Sequence, residues 1–247
     1  MAIDVPNTTL SANDKRILNA LFDPETLPSS VAHSKHTAAI DPSLPAHPTI
    51  STTQLSTLEQ QQNDIIHGVS NTSSPTAIND AITRVNDTIT SWPTYPSAPL
   101  NRAMLLRMKI EATLHHPTQT IFTTTASAPH HPEINPIFTD LSHAIRLAAP
   151  PASDLEPVSP YKARILRTAY AHRAYLYLKA AEAGAVWNGL GKSELEELAS
   201  GDFEQAARFG DEVAREMCVR TNPYAKMCGA IVRNALREER EGDVGGG

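Results

Sequence analysis

The stretch from Thr76 to Lys109, TAINDAITRVNDTITSWPTYPSAPLNRAMLLRMK, constrains the chain more than any other. Its first half puts Ala77, Ile78, Ala81, Ile82, Val85 and Ile89 on one face at helical spacing. Asn79, Asp80, Thr83, Arg84, Asn86 and Asp87 take the opposite face, and Pro93 ends the run. A short Pro/Ser turn follows, and a second helix is predicted from about Ala98, with Leu100, Ala103, Met104 and Leu106 inward. The small side chains of Ala81 and Ala103 let two antiparallel helices approach closely. The stretch is therefore predicted to be a helical hairpin.

Its spacing resembles a known repeat. Ala81, Val85, Thr88 and Pro93 stand at offsets 0, 4, 7 and 12, followed by Asn101-Arg102-Ala103 at the opening of the next helix. This is similar to the tetratricopeptide pattern, in which small, bulky and small residues precede a helix-ending proline. The spacing recurs in Ile137, Leu141 and Ala144, with Pro150 after them, and in Ala199, Phe203 and Ala206, with Gly210 after them. Three occurrences favour a stacked array over three unrelated helices. The intervals between them exceed the roughly 34-residue period of such repeats, so insertions are expected near residues 115–135 and 184–192. The expected fold is all-α: a tetratricopeptide-like array of three helical hairpins with loop insertions, plus C-terminal capping helices.

Composition narrows the function. A content of 40% hydrophobic residues can bury a core, but 19 prolines and clustered Ser/Thr predict long stretches outside it. A formal charge of −6 without a basic block argues against a nucleic-acid surface. No apolar run reaches membrane-spanning length, and MAIDVPNTTL lacks signal-peptide regions. Cys218 and Cys228 lie in different predicted helices, without a CxxC, which points to a reduced compartment. The cytosol is the expected location, with passive entry to the nucleus left open.

Residues 1–26 are predicted to hold a short helix, capped by Ser11, with Ile17, Leu18, Leu21 and Phe22 as its apolar side and Asp23-Pro24 as its stop. Docking of this helix on the array is favoured over its display to a partner, because exposed Leu/Phe clusters are costly. Residues 27–50 read as a disordered linker containing His33, His36 and His47. The array is assigned to 51–240. His115-His116 and His130-His131 in its first insertion are read as loop residues, and no metal site is expected. The longest helix, from Pro160, carries Arg164, Arg167, His172 and Arg173. This cationic stripe serves either as a peptide-binding wall or as a solvated face, and the residues alone leave both open. A capping helix is predicted over 222–239, with Thr221 or Asn222 as its cap, Pro223 in its first turn and Cys228 and Ile231 inward, before a disordered tail over 241–247.

The C-terminal run DFEQAARFGDEVAREMCVRTNPYAKMCGAIVRNAL resembles the end of the tetratricopeptide repeat protein 36 family. That family closes its array with an Asp-Phe-Glu-x-Ala-Ala segment and an Asn-Pro-Tyr-Ala-x-x-Cys helix, matched here from Asn222, Pro223 and Tyr224 to Cys228. NDKRILNALFDPETLPSS resembles the family's opening, and with TAINDAITRVNDTITSWP the likeness spans about half of the chain. The resemblance implies a non-enzymatic adaptor that binds the seventy-kilodalton heat-shock chaperone and is connected with tyrosine breakdown. Chaperone-binding arrays hold a terminal carboxylate in a clamp of Lys and Asn from the first repeat, Asn from the second and Lys/Arg from the third. Asn101 matches the second-repeat position, and Arg173 with Arg167 would serve the third. The first repeat offers Asn63 but no Lys or Arg between Ser51 and Gly68.

No GxSxG, HExxH, P-loop or Rossmann glycine pattern is present, so neither catalysis nor a cofactor is expected. Two readings remain: an adaptor that takes short peptides in a groove, and a scaffold subunit that uses a convex or end-cap surface. Oligomeric state is left open.

Overall fold

The computed structural model describes residues 38, 40–70, 73–114, 120–122, 134–150 and 156–244. Helix α1 spans Thr52–His67, α2 Pro75–Ser91, α3 Ser97–Glu111, α4 Ile134–Ala148, α5 Pro160–Glu182, α6 Lys192–Arg208, α7 Glu212–Thr221 and α8 Pro223–Val244. The protein is all-α, and no strand longer than an isolated bridge occurs among the described residues. The expected short helix over Ser11–Phe22, His33, His36, the four histidines at 115, 116, 130 and 131, and the last three residues of the expected tail lie outside the described residues.

Short polar residues set the helix starts. Ser51 Oγ accepts from the backbone N–H of Gln54, and the Gln54 side chain accepts from the Ser51 N–H in return. Ser74 and Ser159 cap α2 and α5 by accepting from the N–H groups of Ala77 and Lys162, each followed by a proline that needs no N–H partner in the first turn. Asp211 accepts from Ala214 N at 2.9 Å to start α7, directly after Gly210, whose φ of 89° turns the chain out of α6.

Each helix packs on its sequence neighbours, and α1 and α5 also both touch α3. Small residues set the close approaches: Ala81 and Ala103, Ala144 and Ala169, and Ala174, Ala199 and Ala206 are all buried. Val85, Leu141 and Phe203 fill the bulky positions between them and are also buried. Pro93 is exposed in the turn between α2 and α3. As the central helix, α3 is buried along Ala98, Leu100, Ala103, Leu105, Leu106 and Ile110 rather than along one stripe.

The second insertion is more than a loop. Residues 187–190 reverse tightly, with Trp187 and Leu190 exchanging both backbone hydrogen bonds. Asn188 and Gly189 hold positive φ there, as a tight hairpin turn requires. The turn drives Trp187 into the core, 5.4 Å between ring centroids from Phe138 of α4 and 6.0 Å from Phe122 of the first insertion.

The segment 40–50 corrects the expectation of a disordered linker. The Ala38 N–H donates to the carbonyl of Arg208 at the end of α6, and Asp41 N donates to Val158 O beside an Ile40–Val158 bridge. His47 is not solvated but buried. Its Nε2–H donates to Thr94 O at 2.9 Å, while Nδ1 accepts from the N–H groups of Thr49 and Ile50. The segment thus runs from the third hairpin back to the first, and ends where Ser51 starts α1.

Candidate protein-interaction face

Helices α1, α3 and α5, the first members of three successive hairpins, share one face, because polar side chains from all three meet there. Glu59 of α1 is the hub. Its Oε1 accepts from Tyr95 Oη at 2.6 Å and from Ser97 Oγ at 2.7 Å, and its Oε2 accepts from Arg164 of α5. Ser97 also lies 3.0 Å from the hydroxyl of Tyr161. Burial pushes the Glu59 carboxyl up, but the bonds from Tyr95, Ser97 and Arg164 outweigh it and leave the group below its usual range. Burial likewise drives the hydroxyls of Tyr95 and Tyr161 far above their ordinary values, so both remain protonated.

One turn further along α1 and α3, Asn101 donates from Nδ2 to Gln62 Oε1 at 3.0 Å. Gln62 in turn donates to Thr88 Oγ1 at 3.1 Å and ties α1 to α2. Asn101 is half-buried.

Arg173 does not belong to an open binding wall. Its Nε and Nη2 donate to the two carboxylate oxygens of Asp202 on α6 at 2.6 and 2.8 Å, and its Nη1 donates to Ser142 of α4 at 3.0 Å. Its side chain is 19% exposed and that of Asp202 10%. Burial raises the Asp202 carboxyl above its usual range even against Arg173, which marks a costly pair that fixes geometry. The second hairpin repeats the arrangement: Arg102 of α3 donates from Nε and Nη2 to Asp140 of α4 at 2.7 and 2.5 Å. Both arginines precede a buried alanine, in Asn101-Arg102-Ala103 and His172-Arg173-Ala174. Each aspartate precedes a bulky core residue, in Asp140-Leu141 and Asp202-Phe203. That doubled pattern was readable in the sequence as an ionic clasp inside each hairpin. Matching Arg173 alone to a carboxylate clamp missed it.

The remaining expected residues are dispersed. Arg167 is half-buried on α5 and has no ion pair among the described residues. His172 occupies the place in α5 that Asn101 holds in α3, with its Nε2 buried and unpartnered. Burial, aided by the nearby Arg107 guanidinium, lowers its pKa to about 4, so this position is neutral and not cationic. The carboxylate clamp expected from Asn101, Arg167 and Arg173 is therefore not assembled. Arg164, paired with Glu59 and half exposed, is one cation on this face. At the far end, Asn222 Oδ1 accepts from Tyr224 N at 2.9 Å and caps α8, in which Pro223 is the first helical residue. Tyr224, Cys228 and Ile231 are exposed, although Cys228 and Ile231 were expected inward. The described residues contain no group of three or more His, Cys, Asp or Glu able to hold a metal ion, and no helix long and apolar enough to cross a membrane.

No protein-family model matches the chain, and no solved structure matches it. Over 257 aligned residues the chain is 42% identical to the L-tyrosine degradation gene cluster protein hmgX of Aspergillus fumigatus, covering 96% of this chain and 95% of that protein. It is also 49% identical over 40 residues to a tetratricopeptide repeat protein 36 homolog of Drosophila melanogaster, covering 16% of this chain and 22% of that protein. The likeness to the latter family is thus shorter than the half of the chain expected from its motifs, and the relation along the whole length is to hmgX.

Proposed function

Since the chain belongs to the family of the L-tyrosine degradation gene cluster protein hmgX, we propose that it acts in L-tyrosine degradation as a non-enzymatic adaptor of tetratricopeptide type. In this reading the shared face of α1, α3 and α5 is the concave side of the array, and it receives an extended segment of a partner protein. The observation that supports the reading is the face itself, where the half-buried Asn101 of α3 and the half-exposed Arg164 of α5 lie beside Glu59 and Gln62 of α1. Such a row suits a peptide backbone, whose N–H and C=O groups need partners when they leave water. The short match to a tetratricopeptide repeat protein 36 homolog supports the repeat type.

The seventy-kilodalton heat-shock chaperone is one partner of this class. Its terminal carboxylate would meet Asn101 and Arg164, because Asp202 already occupies Arg173. Arg164 would have to exchange Glu59 for the ligand, which weakens carboxylate capture relative to a free cation. The cytosol is the compartment that suits this role.

A second reading, a scaffold subunit docking through its end cap, draws support from the exposed Leu198, Val213, Tyr224, Met227 and Ile231 on α6, α7 and α8.

Cross-linking in cells supplied with L-tyrosine separates the two. Thr168 is exposed one turn along α5 from Arg164, and Arg146 is exposed on α4. Thr168→Trp is expected to abolish capture of the partner and slow tyrosine consumption as deletion of the protein does, while Arg146→Trp changes neither. Capture that persists in Thr168→Trp but disappears in Met227→Asp favours the scaffold. Unchanged tyrosine consumption after deletion, or turnover of a tyrosine breakdown product by the purified protein, overturns the adaptor.

A further inference from the structure

Between the last turn of α3 and the second half of α5 lies a pocket of about 320 Å³. Leu114, Ile121 and Leu176 give it an apolar lining, and Ile121 and Leu176 belong to the buried core. Phe122, next to Ile121, packs edge-on against Trp187 at 6.0 Å between ring centroids and fixes that part of the wall. The volume is at the small end of ligand sites, about 300–1,000 Å³, so it suits one ring-bearing molecule rather than a dinucleotide.

Two opposite charges join this apolar lining, Glu111 from α3 and Lys179 from α5, with side chains 37% and 34% exposed. The Glu111 carboxylate meets Arg107 Nε at 3.6 Å, beyond hydrogen-bond distance, and that buried Nε has no hydrogen-bond acceptor among the described residues. Lys179 donates to Glu182 at 2.6 Å, and this bond raises its pKa, so the ammonium stays charged. An ammonium has more donors, and a carboxylate more acceptor sites, than these contacts use. Both groups therefore keep capacity for a ligand. Tyr175 completes the wall, its ring centroid 5.6 Å from the Arg107 guanidinium and 5.6 Å from the Lys179 ammonium. Cations from two helices hold the ring in a set orientation, which suits it to meet a second ring.

An apolar pocket with an acid on one helix and a base on the other matches a molecule that carries both charges next to an apolar side chain. An aromatic acid leaves Glu111 unanswered, and an aromatic amine leaves Lys179 unanswered. We propose that this pocket binds a free aromatic α-amino acid, with its ammonium on Glu111, its carboxylate on Lys179 and its ring against Tyr175, Leu114 and Leu176. Because the two charges belong to α3 and α5, the bound molecule joins two of the three helices whose face is proposed to receive a partner. The site is argued from its own residues, and only the choice of L-tyrosine as first probe rests on the proposed role in L-tyrosine degradation. Failure to bind an amino acid would leave the adaptor reading intact, and loss of partner capture would leave this site in place.

Ligand-observed NMR titration of the full chain, which registers weak binding, tests the assignment. L-tyrosine and L-phenylalanine are each expected to show saturable binding. Tyramine, without the carboxylate, and desaminotyrosine, without the ammonium, are each expected to bind about tenfold more weakly than L-tyrosine, as loss of one charge-assisted hydrogen bond implies. L-leucine has no ring to set against Tyr175 and is expected to bind several-fold more weakly than L-phenylalanine. Two substitutions at the exposed charges assign the ends of the ligand. Lys179→Gln should weaken L-tyrosine about tenfold and leave tyramine unchanged. Glu111→Gln should weaken L-tyrosine about tenfold and leave desaminotyrosine unchanged. A general loss of structure cannot produce that crossed pattern. Absence of saturable binding by both amino acids overturns the proposal, and so does saturable binding that neither substitution weakens.

Discussion

The two ends of the array are held in opposite ways. At the first hairpin, many polar contacts share the work: Glu59 gathers Tyr95, Ser97 and Arg164, and His47 satisfies three backbone groups from the strap that covers it. At the third hairpin, one buried pair, Arg173 with Asp202, spans the interface between α5 and α6, and beyond it α8 leaves Tyr224, Met227 and Ile231 in water. A distributed network loses little when one member goes. A single desolvated pair loses its compensation all at once. The far end is therefore the more fragile, and the comparison can be broken at named residues.

The largest effect is expected from Arg173→Ala. It leaves the Asp202 carboxylate buried without its two charge-assisted bonds, which costs about 3–5 kcal/mol in urea unfolding. The doubled substitution Arg173→Met/Asp202→Leu should restore most of that loss, since a buried pair is often replaced by apolar residues at little cost. A loss below about 1 kcal/mol for Arg173→Ala would erase the distinction between the two ends.

A pH series sharpens the same comparison. His172 sits on α5 with a pKa lowered from 6.5 to about 4 by burial and by Arg107. A histidine depressed in the folded state contributes stability that is complete above about pH 6.5 and is lost as pH falls towards 4. The wild-type unfolding free energy should decline across that window by an amount on the order of 3 kcal/mol, and His172→Gln should remove that part of the decline. Equal slopes for the two proteins between pH 6.5 and 4 would show that His172 is not the group involved.

The strap is the next smaller test. His47→Ala removes the donor to Thr94 O and the acceptor for two N–H groups, and should cost about 2 kcal/mol. Limited proteolysis within residues 40–50 should become faster than in wild type. Protection equal to wild type would mean that the Ile40–Val158 bridge and the Ala38–Arg208 bond hold the strap without His47.

Those tests follow what could and could not be read from residue order. Helix positions were legible because their determinants are local: Ser51, Ser74, Ser159 and Asp211 cap helices whose apolar spacing runs within a few turns. The small–bulky–small positions Ala81–Val85, Leu141–Ala144 and Ala199–Phe203–Ala206 were legible for the same reason, and all are buried. The role of Arg173 was not read, because its charge suggested a ligand while its partner lay 29 residues away on another helix. His47 was further out of reach: nothing near it in sequence says that the Thr94 carbonyl needs a donor. Trp187 was hidden in an insertion whose Asn188-Gly189 turn was visible only as a gap between repeats.

The smallest expected effect tests redundancy at the first hairpin. Glu59→Gln keeps the side chain's shape and one acceptor but removes the charge that Arg164 meets, so a loss of about 1 kcal/mol at pH 7 is expected. The carboxyl lies below the ordinary glutamate value of 4.5 in the folded protein, so its contribution is complete above about 4.5 and is lost as pH falls through the lower folded value. That window lies on the acid side of the His172 window, which lets one titration separate the two ends. Wild type should show a second decline below pH 4.5 that Glu59→Gln lacks and His172→Gln retains. A Glu59→Gln loss as large as that of Arg173→Ala would show that the first hairpin also hangs on one group, and the contrast between the two ends would be gone.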